Sequence, residues 1–257
     1  MILTEFLKLD EVKTIKNIDS PDTFNIHRKI INKKTILKNI YIDFYNEFKA
    51  ASKDIPNGLL VEIGSGSGFL KEIIPEIITT DVSQGPGIDL VITSSKLPFK
   101  DNSVSAFFLK DVLHHIKDPV SFFHETRRCL IPQGKIIMIE PFASCLSSII
   151  FRLHHESFEP LSSWEIKKEG RLSSANLALS WIIFFRDRTL FESQFPELKI
   201  KRLVPHTPIR YIISGGLSMK QFLPSSSYSI IKFIEKILTP LNNFLGMFIT
   251  IELCKEI

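Results

Sequence analysis

A glycine-rich stretch constrains the fold of this chain more than any other feature. Residues 61–70 read V-E-I-G-S-G-S-G-F-L, so apolar residues lead into Gly64, Gly66 and Gly68, and an apolar, helix-like segment follows. A strand, a glycine turn and a helix in succession bring backbone N–H groups up against a ligand, because glycine has no side chain to hold the ligand away. The stretch therefore predicts a nucleotide-type ligand at the end of a buried strand.

The glycine spacing narrows the class of ligand. The dinucleotide-binding pattern G-x-G-x-x-G would place its third glycine at position 69, where this chain has Phe69. The spacing argues against a diphosphate seated on a helix N-terminus. It favours a smaller, largely uncharged nucleoside whose tail passes over the turn.

Asp81 supplies a second element of a nucleoside site. It follows a predicted short strand over residues 77–80, in the position where doubly wound sheets place an acid that binds a ribose. A carboxylate accepts hydrogen bonds from two adjacent hydroxyls at once. An aspartate after a strand is also a common turn former, and the preceding glycine turn favours the ribose interpretation.

An ordered series of motifs resembles a known family. Glu62 lies two positions before the first glycine, as in motif I of class I S-adenosylmethionine-dependent methyltransferases. The series from residue 97 onward looks like the ubiquinone/menaquinone-type (methyltransferase type 11) superfamily, and the resemblance covers roughly residues 24–141. Its parts are L-P-F at 97–99, D-N-S at 101–103, L-H-H at 113–115, E-x-x-R-x-L at 125–130, P-x-G at 132–134 and E-P at 140–141.

The resemblance implies a fold and a cofactor. The expected fold is α/β, with a Rossmann-like seven-stranded sheet that is mostly parallel and has an antiparallel last strand. N-terminal helices precede this sheet, and a helical insertion follows strand five. The implied cofactor is S-adenosyl-L-methionine, and the residues expected to bind it are Glu62, Gly64, Ser65, Gly66, Gly68, Asp81, Val82, Thr93, Ser94, Lys110 and Asp111.

Some of these positions depart from the family pattern. Thr93 and Ser94 stand where relatives commonly carry an acid near the adenine, and Ser105 stands where relatives often have an aspartate. Lys110 and Asp111 end the predicted fourth strand, where they are expected near the ammonium or carboxylate of the methionine tail.

Histidines are the candidate catalytic residues. Methyl transfer to a hydroxyl needs a base within hydrogen-bond reach, and histidine is suited to this near neutral pH. His114 and His115 lie just past the fourth strand, although the family often has a structural histidine there. His155 belongs to a second candidate cluster, His154-His155-Glu156. Because this short cluster has no distant third ligand in the sequence pattern, no metal site is expected.

The chain is expected to form one domain over residues 1–257. Residues 24–55 are predicted to be an N-terminal helical cap, 56–141 the cofactor-binding core, 142–197 the insertion and substrate region, and 198–257 a C-terminal strand–helix–strand unit. Residues 1–23 are expected to be irregular, and residues 209–213 to continue the strand that Pro205 interrupts. The basic residues of the cap are interpreted either as a solvated helix face or as part of a lid over the ligand.

Composition limits the classes of partner. The balance of 32 basic and 28 acidic residues gives a net charge of +4 without a dense basic run, so nucleic acid is not expected. Three widely separated cysteines and an N-terminus unlike a signal peptide favour the cytoplasm. The apolar second half favours a small-molecule or lipid-linked acceptor. Residues 229–245 suit peripheral seating on a membrane surface, with core packing as the alternative.

The predicted function is S-adenosylmethionine-dependent methylation of oxygen or carbon in such an acceptor. Thr93 and Ser105 keep open a non-catalytic module that binds cofactor or acts as a scaffold. A nucleotide-dependent oxidoreductase is disfavoured by the missing third glycine.

Overall fold

A computed structural model describes residues 7–256 and shows a seven-stranded mixed sheet. The strand order is β3-β2-β1-β4-β5-β7-β6, and only β7 runs antiparallel to its neighbours. The predicted fold class is confirmed. The strands are β1 Leu59–Ile63, β2 Ile78–Asp81, β3 Leu90–Val91, β4 Val104–Lys110, β5 Leu130–Pro141, β6 Leu198–His206 and β7 Phe248–Lys255.

Helices cover both faces of this sheet. The α-helices are α1 Asp10–Lys13, α2 Thr23–Lys33, α3 Thr35–Ala51, α4 Pro119–Cys129, α5 Cys145–Phe151, α6 Leu179–Trp181, α7 Arg188–Gln194, α8 Arg210–Ser214, α9 Tyr228–Ile237 and α10 Asn242–Leu245. A π-helix, Ile182–Arg186, joins α6 to α7. Single 3₁₀ turns are Ser52–Asp54, Leu70–Glu72, Leu113–His115, Ser225–Ser227 and Thr239–Leu241.

The buried central strand β4 shows how the sequence divides the core. Successive strand side chains point to opposite faces, and β4 is buried throughout. Phe107 and Leu109 pack into the core under α4 and the segment α6–α7, whereas Ala106 and Phe108 pack into the core under α2 and α3. Two apolar cores therefore sandwich the sheet.

The predicted N-terminal helices form one of these covering layers. Apolar residues at helical spacing in α2 and α3 are buried, and the ring of Phe48 lies 5.3 Å from the ring of Phe108. The 3₁₀ turn after α3 leads directly into the turn before β1. This layer thus connects to the sheet at the start of β1, and the glycine turn follows the end of the same strand.

The helix expected after the glycine turn is replaced by one 3₁₀ turn, Leu70–Glu72. Pro75 leaves less than two helical turns between Gly68 and the proline, too short a segment to repay helix nucleation. The glycine turn is therefore not followed directly by an α-helix.

The expectation for residues 209–213 is wrong. Strand β6 continues through Pro205 to His206, which an edge strand tolerates because proline needs no ladder partner on its open side. The chain then forms α8 instead of more strand. Glu235 Oε1 accepts the backbone N–H groups of Ile209 (2.8 Å) and Arg210 (2.7 Å), so a side chain from α9 caps the start of α8.

The N-terminal region is more regular than expected, since α1 forms one helical turn within the first 23 residues. The expectations for residues 1–6 and 257 lie outside the described part of the chain. Between residues 7 and 256, no helix combines the length and apolar character needed to cross a bilayer.

Candidate active site

The glycine turn after β1 is shaped mainly by the chain's own packing. Gly64 has φ +68°, and a Cβ there would lie 2.6 Å from Cγ2 of Val112. A Cβ on Gly68 would collide with the Tyr45 hydroxyl. Gly66 differs, because it has φ +53° and the nearest atom to its missing Cβ is the Gly64 carbonyl oxygen at 3.8 Å. Of the three glycines, Gly66 leaves open space for a ligand.

Asp81 ties the end of β2 to this turn. Its Oδ2 accepts the N–H of Gly66 at 3.0 Å, and its Oδ1 accepts the N–H of Ser83 at 3.1 Å. Burial raises the pKa of this carboxyl above its ordinary value, although these backbone hydrogen bonds oppose the rise. Each oxygen keeps a free lone pair, so Asp81 can still accept hydrogen bonds from a ligand's hydroxyls.

Two polar atoms beside the turn lack partners. Glu62 Oε2 and Ser65 Oγ are buried without a hydrogen-bond partner within residues 7–256. Burial raises the pKa of Glu62 to about 7, and the charge of Asp81 adds to this rise. Unpartnered buried polar atoms are costly in a finished core, which is consistent with a ligand-binding position.

The open edge of the sheet places an apolar side chain beside Asp81. Val82 is 52% exposed, Thr93 is exposed and Ser94 is half-buried. The N–H of Ile92 donates to the Asp81 carbonyl oxygen at 2.9 Å, which holds the 92–94 segment against the end of β2. An exposed valine at this position offers an apolar contact to a flat ring.

Lys110 and Asp111 form a pair at the end of β4. The Lys110 ammonium contacts the Asp111 carboxylate and lies 3.9 Å from the centroid of the Tyr41 ring. Asp111 has φ +57°, an unusual backbone conformation for a residue with a side chain. This pair is next to the glycine turn, although Lys110 already has partners from the chain itself.

Helix α2 lies directly on the glycine turn. The Arg28 guanidinium donates to the carbonyl oxygens of Ser67 (3.3 Å) and Gly68, and the Ser67 hydroxyl donates to the Phe24 carbonyl oxygen at 2.9 Å. The guanidinium of Arg171 stacks on the Phe24 ring at 4.4 Å. These contacts support the interpretation of Arg28 as part of a lid. Lys29 is exposed, as expected for a residue on a solvated helix face.

The histidines from two separate segments meet around one carboxylate. Glu156 lies 3.9 Å from Nε2 of His114, 3.9 Å from Nε2 of His115, 3.6 Å from Nδ1 of His154 and 3.8 Å from Nε2 of His155. The structure therefore joins the two candidate catalytic clusters into one, which we call the histidine–glutamate cluster.

Glu140 orients the buried part of this cluster. Its Oε1 accepts the N–H groups of Val112 and Leu113, each at 2.8 Å, and its Oε2 lies 2.7 Å from Nδ1 of His114. Burial lowers the pKa of His114, but the hydrogen bond and charge of Glu140 outweigh this effect and raise it. Burial and the neighbouring His114 hold the pKa of His115 well below its ordinary value.

The comparisons with known proteins agree with this geometry. A family model described as a methyltransferase domain matches residues 61–138, the segment that carries the glycine turn, Asp81, His114 and His115. Residues 61–138 therefore resemble a methyltransferase domain, and they lie within the seven-stranded sheet described above.

Individual relatives are more distant. An uncharacterized protein of Methanocaldococcus jannaschii is 31% identical over 105 residues, which is 38% of this chain and 51% of that protein. The match thus spans about half the length of this relative. The crystal structure of an S-adenosylmethionine-dependent methyltransferase of Thermotoga maritima has a TM-score of 0.54 and 16% identity, and covers 91% of this chain and 100% of that one. The likeness to the second protein is one of fold.

Several residues near the site were not anticipated from the sequence. Glu140 was visible only as part of the E-P motif, whose strand-end position indicated no partner. Tyr45 and Arg171 carry no local pattern that marks them. His206 lies between the hydroxyls of Thr207 and Thr250, each at 2.9 Å.

Proposed function

We propose that this chain transfers a methyl group from S-adenosylmethionine to an oxygen or carbon of a small or lipid-linked acceptor. The observation that carries the proposal is the hydrogen bond from Gly66 N–H to the Asp81 carboxylate. It places a carboxylate suited to a ribose beside the glycine of the turn that leaves space for a ligand. The histidine–glutamate cluster lies at the same edge of the sheet, because Val112 contacts Gly64 and precedes His114 by two residues.

The residues at the turn fit this cofactor. Asp81 has lone pairs for the ribose hydroxyls, and the exposed side chain of Val82 is available to the adenine together with Thr93 and Ser94. Glu62, Ser65, Lys110 and Asp111 would hold the methionine end, where the partnerless Glu62 and Ser65 oxygens gain hydrogen-bond donors or acceptors. A largely buried carboxylate suits the ammonium of that tail.

When bound, S-adenosylmethionine supplies an activated methyl group, whose carbon–sulfur bond breaks with the electron pair retained by sulfur. The chain's own residues have three tasks. The layer of α2 and Arg171 excludes water, Glu140 fixes the orientation of His114, and the histidine–glutamate cluster receives the proton that the acceptor loses as its new bond to carbon forms. We propose His114, His115 and His155 as the catalytic histidines of this cluster.

The cofactor assignment is tested by Asp81→Ala. We expect S-adenosylmethionine affinity, measured by calorimetry, to fall about tenfold or more, the contribution of a charge-assisted hydrogen bond. Asp89→Ala is a matched control, since Asp89 pairs with Lys71 on the exposed side of β2–β3. Thermal unfolding of both variants confirms folding. Unchanged affinity in folded Asp81→Ala would exclude the ribose role.

A non-catalytic cofactor-binding or scaffold module is the second candidate, favoured by the departures at Thr93 and Ser105. Ser105 is fully buried, and a Cβ on Gly58 would collide with its hydroxyl, so Ser105 explains the glycine at position 58. Tight binding of S-adenosylhomocysteine without turnover of any acceptor would favour this candidate. A thermal shift with NAD, and none with S-adenosylmethionine, would favour the oxidoreductase.

Helix α9 suggests the class of the acceptor. A charged side chain of this helix faces the protein interior, and large apolar side chains face solvent. Its inner side carries Glu235, which is buried against Arg210, while Arg210 also pairs with Asp43. Its outer side exposes large apolar side chains. This outer face, continued beyond the helix, consists of Ile230, Phe233, Ile234, Ile237, Leu241 and Phe244.

We propose that this outer face of α9 rests on a membrane surface and that the acceptor is lipid-linked, with the chain peripheral on the cytoplasmic side. The ion pair of Glu235 and the buried side chain of Ile231 attach the inner side of the helix to the protein, so its outer apolar side remains available. The exposed basic residue Lys236 on α9 suits an anionic lipid surface.

Vesicle sedimentation tests the membrane contact. The double variant Phe233→Ser, Ile237→Ser should bind phosphatidylglycerol vesicles at least tenfold more weakly, because two side chains no longer enter the lipid. Ile149→Ser, an exposed apolar residue on α5, should bind as the unaltered chain does. No vesicle binding by the unaltered chain, or a change in oligomeric state with the double variant, would overturn this proposal.

A further inference from the structure

We propose that His114, His115 and Glu156 bind a divalent transition-metal ion, with His155 at its solvent side. The expectation that the chain holds no metal rested on the isolation of the H-H-E motif in the sequence. The structure removes that reason, because the turn after β4 brings two more histidines to the same carboxylate.

The spacing of the ligand atoms fits an ion. One ring nitrogen of His114, one of His115 and a carboxylate oxygen of Glu156 lie within 4.8 Å of one another. Tetrahedral ligands about 2.1 Å from a zinc ion are about 3.4 Å apart. The 3.9 Å separations from each histidine to Glu156 would therefore contract by roughly half an ångström, within the reach of a side-chain rotation.

The ring nitrogens of His114 and His115 that point away from Glu156 already contact hydrogen-bond acceptors. Nδ1 of His114 faces the Glu140 carboxylate at 2.7 Å, and Nδ1 of His115 faces the Ser174 carbonyl oxygen at 3.0 Å. A carbonyl oxygen only accepts, so Nδ1 of His115 carries the hydrogen and its Nε2 presents a lone pair toward Glu156. Carboxylates and backbone carbonyls hold metal-binding histidines in this way in other proteins.

A network of direct ion pairs does not explain the same distances. A carboxylate paired with a protonated histidine contracts to about 2.7–2.9 Å. The nitrogens of His114 and His115 stand 3.9 Å from the Glu156 carboxylate oxygens, which is beyond a hydrogen bond and leaves room for an ion between them. Nδ1 of His154 instead accepts the backbone N–H of Glu156 at 3.3 Å.

Two histidines and one carboxylate suit zinc and the neighbouring divalent metals, and they leave coordination positions open. Ser174 and His114 enclose the inner side, whereas His155 lies toward solvent. An oxygen of the acceptor would occupy an open position, where a metal ion lowers the pKa of a bound hydroxyl. With His114, His115 and Glu156 on the metal, His155 is the member of the cluster left to receive the proton. The inference therefore adds an oxygen-bearing acceptor to the proposed function.

Metal titration of the full chain tests the site without cofactor or acceptor. After chelator treatment, the chain should bind one equivalent of ZnCl₂ by calorimetry, and CoCl₂ should give the visible absorption bands of a bound cobalt ion. Glu156→Gln and His115→Gln should each weaken zinc binding roughly a hundredfold or more, since even outer-shell losses cost 10- to 100-fold.

His124→Gln is the matched control, because His124 is an exposed histidine on α4 and should leave zinc affinity unchanged. Thermal unfolding shows whether each variant folds, and His155→Gln, at the solvent side, gives an independent, smaller reduction. Absence of zinc binding, or binding that Glu156→Gln and His115→Gln do not weaken, would overturn the site. S-adenosylmethionine affinity, measured separately, keeps that outcome distinct from failure of the proposed function.

Discussion

The two halves of the molecule treat their apolar residues differently. Between residues 56 and 141, the sheet and its helices bury most of the large apolar side chains, and the exposed ones lie on β1, on β3 and at Val82. Between residues 142 and 256, large apolar side chains remain exposed on α5, on the loop that follows it, and along α9 and α10. The first half buries its apolar side chains in the core, whereas the second half leaves a larger apolar surface exposed to solvent.

This difference indicates which substitutions should change the stability of the fold in each half. At the glycine turn, positive φ angles and missing side chains shape the site, so an added methyl group strains the fold itself. On α9, the polar inner side supports the helix, so a change on the outer face affects contacts with a partner and leaves the fold intact. Stability measurements can separate these two situations.

The largest effect should come from Gly64→Ala. Its Cβ would meet Val112 at 2.6 Å in a backbone conformation with φ +68°, so we expect the free energy of unfolding to fall by about 3 kcal/mol. Gly66→Ala has a similar φ but open space, and should cost about 1 kcal/mol. Urea denaturation compares the two. Equal losses would show that Val112 does not require the absence of a side chain at Gly64.

Glu62→Gln should change how stability depends on pH. Since the pKa of Glu62 is about 7 in the fold and 4.5 in the unfolded chain, folding favours the protonated form. Its contribution is complete below pH 4.5 and is lost as the pH rises through 7, to a total of about 3 kcal/mol.

The variant should lack this loss, so the unaltered chain should lose stability relative to Glu62→Gln between pH 4.5 and 8. Urea denaturation across that range measures the difference. Parallel curves for the two proteins would show that Glu62 is not held in an environment that favours its neutral form.

The smallest effect should come from the outer face of α9. Phe233 and Ile237 are 64% and 63% exposed, so the double change to serine should alter the free energy of unfolding by no more than about 0.5 kcal/mol. Ile231→Ala, on the inner side at 6% exposure, should cost about 2–4 kcal/mol. A large loss in the double variant would mean that this face supports the fold, and the contrast between the halves would fail.

Local patterns in the sequence predicted the strands, the amphipathic N-terminal helices and the position of Asp81, because strand alternation and turn chemistry act over a few residues. The sequence did not show why positions 64 and 68 require glycine, because the side chains that exclude a Cβ there, Val112 and Tyr45, are distant in sequence. The helix at Arg210 was missed for a similar reason, because its cap comes from Glu235.

The histidine–glutamate cluster was predicted in two separate pieces. Nothing in the spacing between residues 115 and 154 indicates that the loop after α5 returns to the end of β4. That return depends on contacts such as the hydrogen bond from Asn176 N–H to the His114 carbonyl oxygen at 2.8 Å, which only the folded chain shows.

Glu140 has a consequence for the site as a whole. Its carboxylate holds the backbone of Val112 and the ring of His114, while Val112 fills the space left by Gly64. One path of contacts therefore connects the turn that we propose faces the methyl donor with the side chains that we propose face the acceptor. The binding positions of the methyl donor and the acceptor would therefore have a fixed spacing in the protein before either reactant binds.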